Sequence, residues 1–129
     1  YYLYVSLPKP ELPQTETQTQ IAKNIAPKEA YTLIQNNRGN PNFVILDVRT
    51  PAEFAEEHIE NAINLDYYSE TFRDDLDKLD KSKIYLIYCR TGSRGESSLA
   101  IMKELGFREV YNISGGITEW KAEGFPTTK

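Results

Sequence analysis

The sequence holds one cysteine, one histidine, one methionine and one tryptophan in 129 residues, and these scarcities remove whole classes of function. A single cysteine cannot form an intrachain disulfide, and one cysteine with one histidine cannot supply a Cys/His zinc site. No metal centre of that kind is expected. Positive charge is also short: 15 Lys and Arg stand against 19 Asp and Glu, a formal net charge of -4, and no basic cluster is present to track a phosphate backbone. Nucleic acid is not an expected partner. No apolar run approaches the roughly 20 residues that span a bilayer, so the chain is read as not membrane-spanning, and no internal repeat is visible. A chain of this length buries one core and not two. One active site and a monomer are the expectation.

Residues 1–20 differ in texture from the remainder. Tyr1, Tyr2, Leu3 and Tyr4 lead into Pro8, Pro10, Pro13 and the polar run Gln14 to Gln20, the composition of a flexible N-terminal linker or tail. An aromatic flank is also what remains beside a removed signal or membrane anchor. The compartment is therefore open, with the cytoplasm as default and an extracytoplasmic location after such processing as the alternative.

From residue 21 to 129 short apolar runs alternate with helix-like segments, the pattern of an α/β domain whose parallel sheet is covered by helices. Pro27 opens a helix through Gln35, closed off by Gly39, Asn40 and Pro41. Phe43 to Leu46 is a continuous apolar run, as in a strand buried on both faces, and it ends at Asp47-Val48-Arg49. Thr50-Pro51-Ala52-Glu53 reads as a capping box for a short helix to about Glu57, with Arg49 placed to pair with Glu53 four residues on. Ala62 to Leu65 reads as a brief strand, and Tyr68 to Leu79 as a covering helix with Phe72, Leu76 and Leu79 on one face. Ile84 to Tyr88 is the strongest strand signal, rich in β-branched and aromatic residues, and it runs straight into Cys89. A helix from Gly95 to Leu105, a strand from Val110 to Ile113 and a final helix carrying Ile117 and Trp120, turned in by Gly115-Gly116, complete the pattern.

Chemistry concentrates in Cys89-Arg90-Thr91-Gly92-Ser93-Arg94, a polar loop between a buried strand and a helix. A helix N-terminus presents unpaired amides and about half a positive charge. Gly92 permits the tight turn that aims successive amides inward, and Arg90 and Arg94 add full charges. These effects favour a thiolate at Cys89, the nucleophilic form of the side chain. Glu96 in the first helical turn opposes them if it faces the loop, and it is expected to point out to solvent. A cysteine after an apolar strand is often a small buried hydrophobe, but packing has no need of two arginines, a glycine and two hydroxyl residues in the next five positions. Asp47, at a strand's carboxyl end, is assigned support of the site. Arg49, His58 and Trp120 are assigned structural roles.

The chain resembles the rhodanese family of single-domain sulfurtransferases from about Asn24 to Pro126. The matching segments are Ile45-Leu46-Asp47-Val48-Arg49-Thr50-Pro51-Ala52-Glu53-Phe54, His58-Ile59 with Ala62-Ile63-Asn64, the Cys89 to Arg94 loop, and Leu105-Gly106-Phe107 through Gly115-Gly116 to Trp120. The resemblance implies a five-stranded parallel sheet flanked by helices on both faces, with Cys89 as the catalytic residue and loop amides cradling the transferred sulfur. Arg90, Thr91, Gly92, Ser93 and Arg94 then bind the substrate. It implies transfer of a sulfane sulfur from thiosulfate or a similar donor to cyanide, a thiol or a protein acceptor through a Cys89 persulfide, with no metal or organic cofactor. The chain departs from the family pattern at Glu57 and Asn61, where glycines are usual, and at Gly95, where serine is common; Asn61 tolerates a left-handed turn. Two alternatives remain. A cysteine phosphatase or arsenate reductase uses the same strand, loop and helix, but with five residues between cysteine and arginine where this chain has four. A non-catalytic sulfur-carrier or interaction module is the other.

Overall fold

Strand β4, Ile84–Tyr88, is the middle of the sheet, and its neighbours follow from it. The computed structural model describes residues 19–129; most of the segment read as a linker lies outside the described residues. Five strands, β1 (Ile21–Ile25), β2 (Phe43–Asp47), β3 (Ile63–Asn64), β4 and β5 (Glu109–Ile113), lie in the order β1-β5-β4-β2-β3. Every pairing is parallel. The helices are α1 (Pro27–Asn36), α2 (Pro51–Glu56), α3 (Phe72–Asp77), α4 (Ser93–Glu104) and α5 (Gly116–Ala122). This is the α/β architecture expected.

Alternation along β4 divides the core into two. Tyr85, Ile87 and Cys89 join Leu46, Val48, Phe72, Leu76, Leu99, Met102, Phe107 and Val110 in one buried cluster, on the face covered by α3 and α4. Leu86 and Tyr88 join Ile45, Ala30, Ile113, Ile117 and Trp120 in the other, under α1 and α5. Because side chains of a strand alternate between faces, Cys89 falls on the α4 side. That parity carries its sulfur toward the start of α4.

Two elements and one ion pair differ from the sequence reading. β1 was not anticipated: Ile-Ala-Lys-Asn-Ile is an edge strand with mostly exposed side chains and only Ile25 buried, so it lacks the apolar run that marks an interior strand. The helix expected over 68–79 shortens to Phe72–Asp77, since its first part is spent on local side-chain turns. Asp66 Oδ1 accepts from the Tyr68 amide at 2.9 Å and Ser69 Oγ from the Thr71 amide at 3.2 Å, bonds that compete with helix. Arg49 does not pair with Glu53. It pairs with Asp47, two residues back, at 2.7 Å.

Other details match the residue chemistry. Asn61 has φ of 72°, alone among non-glycine residues described here in the left-handed region. Glu57 sits at φ of -173°, extended backbone that needs no glycine. Trp120 is buried and its indole donates to Pro126 O at 2.8 Å. No helix among the described residues is long and apolar enough to cross a membrane.

Candidate active site

Cys89 leaves β4 at the carboxyl edge of the sheet and its loop closes directly onto α4. Gly92, the residue before the helix, has φ of 116°, a conformation that an L side chain rarely adopts. The turn it makes points two amides at the sulfur: Gly92 N and Gly95 N each donate to Cys89 Sγ at 3.1 Å. Two amides and the helix terminus together favour negative charge on Sγ. Cys89 is only 1% exposed, so a slender terminal atom of a substrate has far better access than a bulky group.

The carbonyl side of the loop is held from behind. Cys89 O accepts from Ile117 N at 2.9 Å and Arg90 O from Thr118 N at 3.0 Å, so the first turn of α5 ties down the loop's carbonyls while its amides face the sulfur. Gly116 makes this approach feasible, since a Cβ there would lie 2.4 Å from Arg90 O and 2.5 Å from Cys89 O. From sequence alone Gly115-Gly116 reads only as a turn. Nothing local marks it as part of the site, because its partner lies a strand away.

The arginines are not free. Arg94 donates from Nη1 and Nη2 to Glu53 Oε1 and Oε2 at 2.9 and 3.0 Å, and its guanidinium carbon lies 5.5 Å from the Tyr68 ring centre. Arg90 Nε is 3.5 Å from Glu53 Oε2. The same carboxylate completes the α2 capping box, accepting from Thr50 N at 3.0 Å and Thr50 Oγ1 at 3.1 Å. The Arg94 hydrogen bonds, with Thr50 assisting, hold Glu53 at about 2, well below its ordinary 4.5. Arg94 is raised in turn, chiefly by Glu53. Sequence reading placed Glu53 correctly in the capping box but missed its reach across 41 residues to Arg94. Thr91, Ser93 and Glu96 are exposed, so Glu96 does point to solvent.

Asp47 lies fully buried beneath this arrangement. Both its oxygens accept from Arg49 Nε, at 3.0 and 3.1 Å, and Arg49 Nη2 continues to Glu57 O at 2.6 Å. Burial alone would lower the Arg49 pKa; the Asp47 carboxylate outweighs it, and the guanidinium stays above its ordinary value. Tyr88 lies 5.6 Å below that guanidinium and accepts from Ile59 N at 3.0 Å. Burial, then Asp47, pushes its phenol well up from the ordinary range. The network anchors the β2–α2 connection from which Glu53 reaches the loop. His58 belongs elsewhere: Nδ1 meets Phe54 O at 2.8 Å, the ring stacks on Phe54 at 3.9 Å, and the backbone bridges to Thr128.

Gly95, where serine is common in the resembling family, has a neighbour that fills the space. A Cβ there would come within 2.1 Å of Asn112 Oδ1, an atom that is itself buried and without a hydrogen-bond partner. Gly95 was not among the expected site residues, though its amide is one of the two on the sulfur. Among the described residues, no group of acidic, His and Cys side chains is placed to hold a metal ion.

Comparison with known proteins agrees with this geometry. A model of the rhodanese-like domain matches residues 27–123. The chain is 37% identical over 100 residues to the thiosulfate sulfurtransferase GlpE of Coxiella burnetii, covering 78% of this chain and 88% of that protein. It is 31% identical over 98 residues to a sulfurtransferase of Allochromatium vinosum, covering 76% and 90%. A crystal structure of a rhodanese-related protein from Thermoplasma volcanium superposes with a TM-score of 0.70 at 27% identity, over 82% of this chain and 97% of that one. The α/β fold is thus that of a rhodanese-like domain. The chain belongs to the rhodanese-like family, and its activity class is sulfurtransferase.

Proposed function

We propose that the protein moves a sulfane sulfur from thiosulfate or a related donor to a thiophilic acceptor, cyanide or a thiol, through a persulfide on Cys89. The observation that carries this reading is the pair of amides, from Gly92 and Gly95, aimed at Sγ from the start of α4. The Cys89 thiolate attacks the outer sulfur of the donor. The donor's S–S bond breaks and sulfite leaves with the electron pair, so that Cys89 carries one additional sulfur. An acceptor then attacks that outer sulfur and regenerates the thiolate. Splitting transfer into two displacements is nucleophilic catalysis and gives ping-pong kinetics. Arg90, Thr91, Gly92, Ser93 and Arg94 form the binding loop, with Arg90 the more exposed cation, and Asp47 supports the site through Arg49. The chemistry needs no cofactor, and a protein acceptor fits it as well as a small thiol.

The tight access to Sγ and the four residues between Cys89 and Arg94 both weigh against phosphoryl or arsenate chemistry, whose tetrahedral oxyanion needs a wider ring of donors. Mass spectrometry after exposure to thiosulfate tests the proposal. One added sulfur atom on Cys89, discharged by cyanide as thiocyanate, is expected; a folded Cys89→Ser protein that still forms thiocyanate overturns the mechanism.

A further inference from the structure

Glu53 changes the charge that a donor meets at the loop. Its two oxygens take both hydrogen bonds of the Arg94 fork, while Arg90 Nε stands 3.5 Å away on the same carboxylate. Arg94 is mostly buried, its side chain 16% exposed, and Tyr68 covers it. Arg90, with a side chain 58% exposed, is the loop cation a donor can reach. The loop side chains together with Glu53 therefore present one net positive charge, and the thiolate that the persulfide reading requires at Cys89 balances it. A thiosulfate ion brings two further negative charges to that neutral setting.

We infer that Glu53 is a specificity-determining residue that matches the loop to sulfane donors carrying one negative charge at the reacting end, organic thiosulfonates or hydropersulfides, in preference to dianionic thiosulfate. The inference rests on the Cys89 persulfide reading and refines its donor. With a thiosulfonate, the Cys89 thiolate bonds to the terminal sulfur, the bond from that sulfur to the sulfonyl sulfur breaks, and an organic sulfinate leaves with the electron pair. With a hydropersulfide, the same attack on the terminal sulfur releases the thiolate of the organic thiol, which takes its proton from water. Either way one neutral sulfur atom moves and the total charge is conserved. Arg94 and Tyr68 then serve as the wall of the site, and Arg90 alone meets the donor's charged end.

The test compares kcat/KM for thiosulfate and methanethiosulfonate, two donors that differ by one charge, each scaled to its reaction with a free thiolate. The native protein is expected to favour methanethiosulfonate. Glu53→Gln keeps an oxygen for Thr50 and Arg94 while removing the charge, and each donor charge should then gain roughly tenfold at a partly screened separation. The thiosulfate to methanethiosulfonate ratio should thus rise about tenfold. Arg90→Gln should move that ratio the other way by a similar factor, and it decides the matter if Glu53→Gln does not fold. A third donor, an alkyl hydropersulfide with an uncharged tail, separates the two sources: faster loading than by methanethiosulfonate assigns the match to hydropersulfides, slower loading to thiosulfonates. Ratios that stay within about twofold of native in the folded variants, with Cys89 still loaded, overturn the inference and leave the persulfide mechanism standing. Failure of every donor to load Cys89 in the native protein overturns the mechanism itself.

Discussion

Replacing Gly95 by serine, the residue common at that position in the family, should damage this protein, and the structure sets the size of the effect. An introduced Cβ would lie 2.1 Å from Asn112 Oδ1 and 2.9 Å from its Cγ, where ordinary contact begins at 3.4 Å. Asn112 would have to retreat by about 1.3 Å. It is fully buried, and its Nδ2 donates to Asn24 Oδ1 at 2.8 Å, so retreat breaks a hydrogen bond worth about 1 kcal/mol. Overpacking adds about 1–3 kcal/mol. Gly95→Ser is therefore expected to cost about 2–4 kcal/mol and, because the Gly95 amide serves the sulfur, to slow sulfur loading as well. Asn112→Ala vacates the space. It removes an acceptor that already lacks a partner, leaves Asn24 Oδ1 unpaired, and should cost about 1 kcal/mol. The double variant should be more stable than the sum of the two changes by at least about 1.5 kcal/mol and should recover loading. Urea denaturation of the four proteins, with slopes checked for constancy, measures the cycle. A Gly95→Ser protein within about 0.5 kcal/mol of native, or a double variant no better than additive, would refute the reasoning.

Further outcomes follow from the same geometry. Glu53, held at about 2 against an ordinary 4.5, binds fewer protons folded than unfolded. Its contribution is complete above about pH 4.5 and is lost as pH falls toward 2. Native protein should lose on the order of 1–2 kcal/mol across that window that Glu53→Gln does not lose, as read from denaturation midpoints against pH. Gly116→Ala drives a Cβ into the carbonyls of Cys89 and Arg90 and should cost about 2–3 kcal/mol with a transfer rate down at least about tenfold; an unchanged rate would show that α5 does not hold the loop. His58→Ala should lose about 1–2 kcal/mol of stability from its Phe54 contacts yet retain transfer. Loss of all turnover in a folded His58→Ala protein would make the histidine part of the chemistry.

Much of this protein is legible in its linear order, because the relevant physics is local. The apolar runs Phe43 to Leu46 and Ile84 to Tyr88 announce interior parallel strands by their continuity. Thr50-Pro51-Ala52-Glu53 announces a helix start by its capping chemistry, and both groups of that box pair as expected. The Cys89 to Arg94 loop announces an anion cradle because glycine, cysteine and a helix N-terminus fall within one turn of chain. Other features depended on neighbours that sequence distance conceals. Strand β1 is an edge held by β5, and its polar residues carry no signal of their own. The charge of the loop depended on Glu53, which a local reading assigns to its own helix and which the fold brings across to Arg94. The use of Gly116 and Gly95 depended on the backbone of Cys89 and Arg90 and on the side chain of Asn112, all from other elements. Fold class, most of the elements around Cys89 and the family are readable from the chain alone, since those rest on periodicity, capping and short motifs. Which loop cation stays exposed and which atoms face the sulfur emerge from the packed fold, because charge balance and close approach are properties of neighbours distant in sequence.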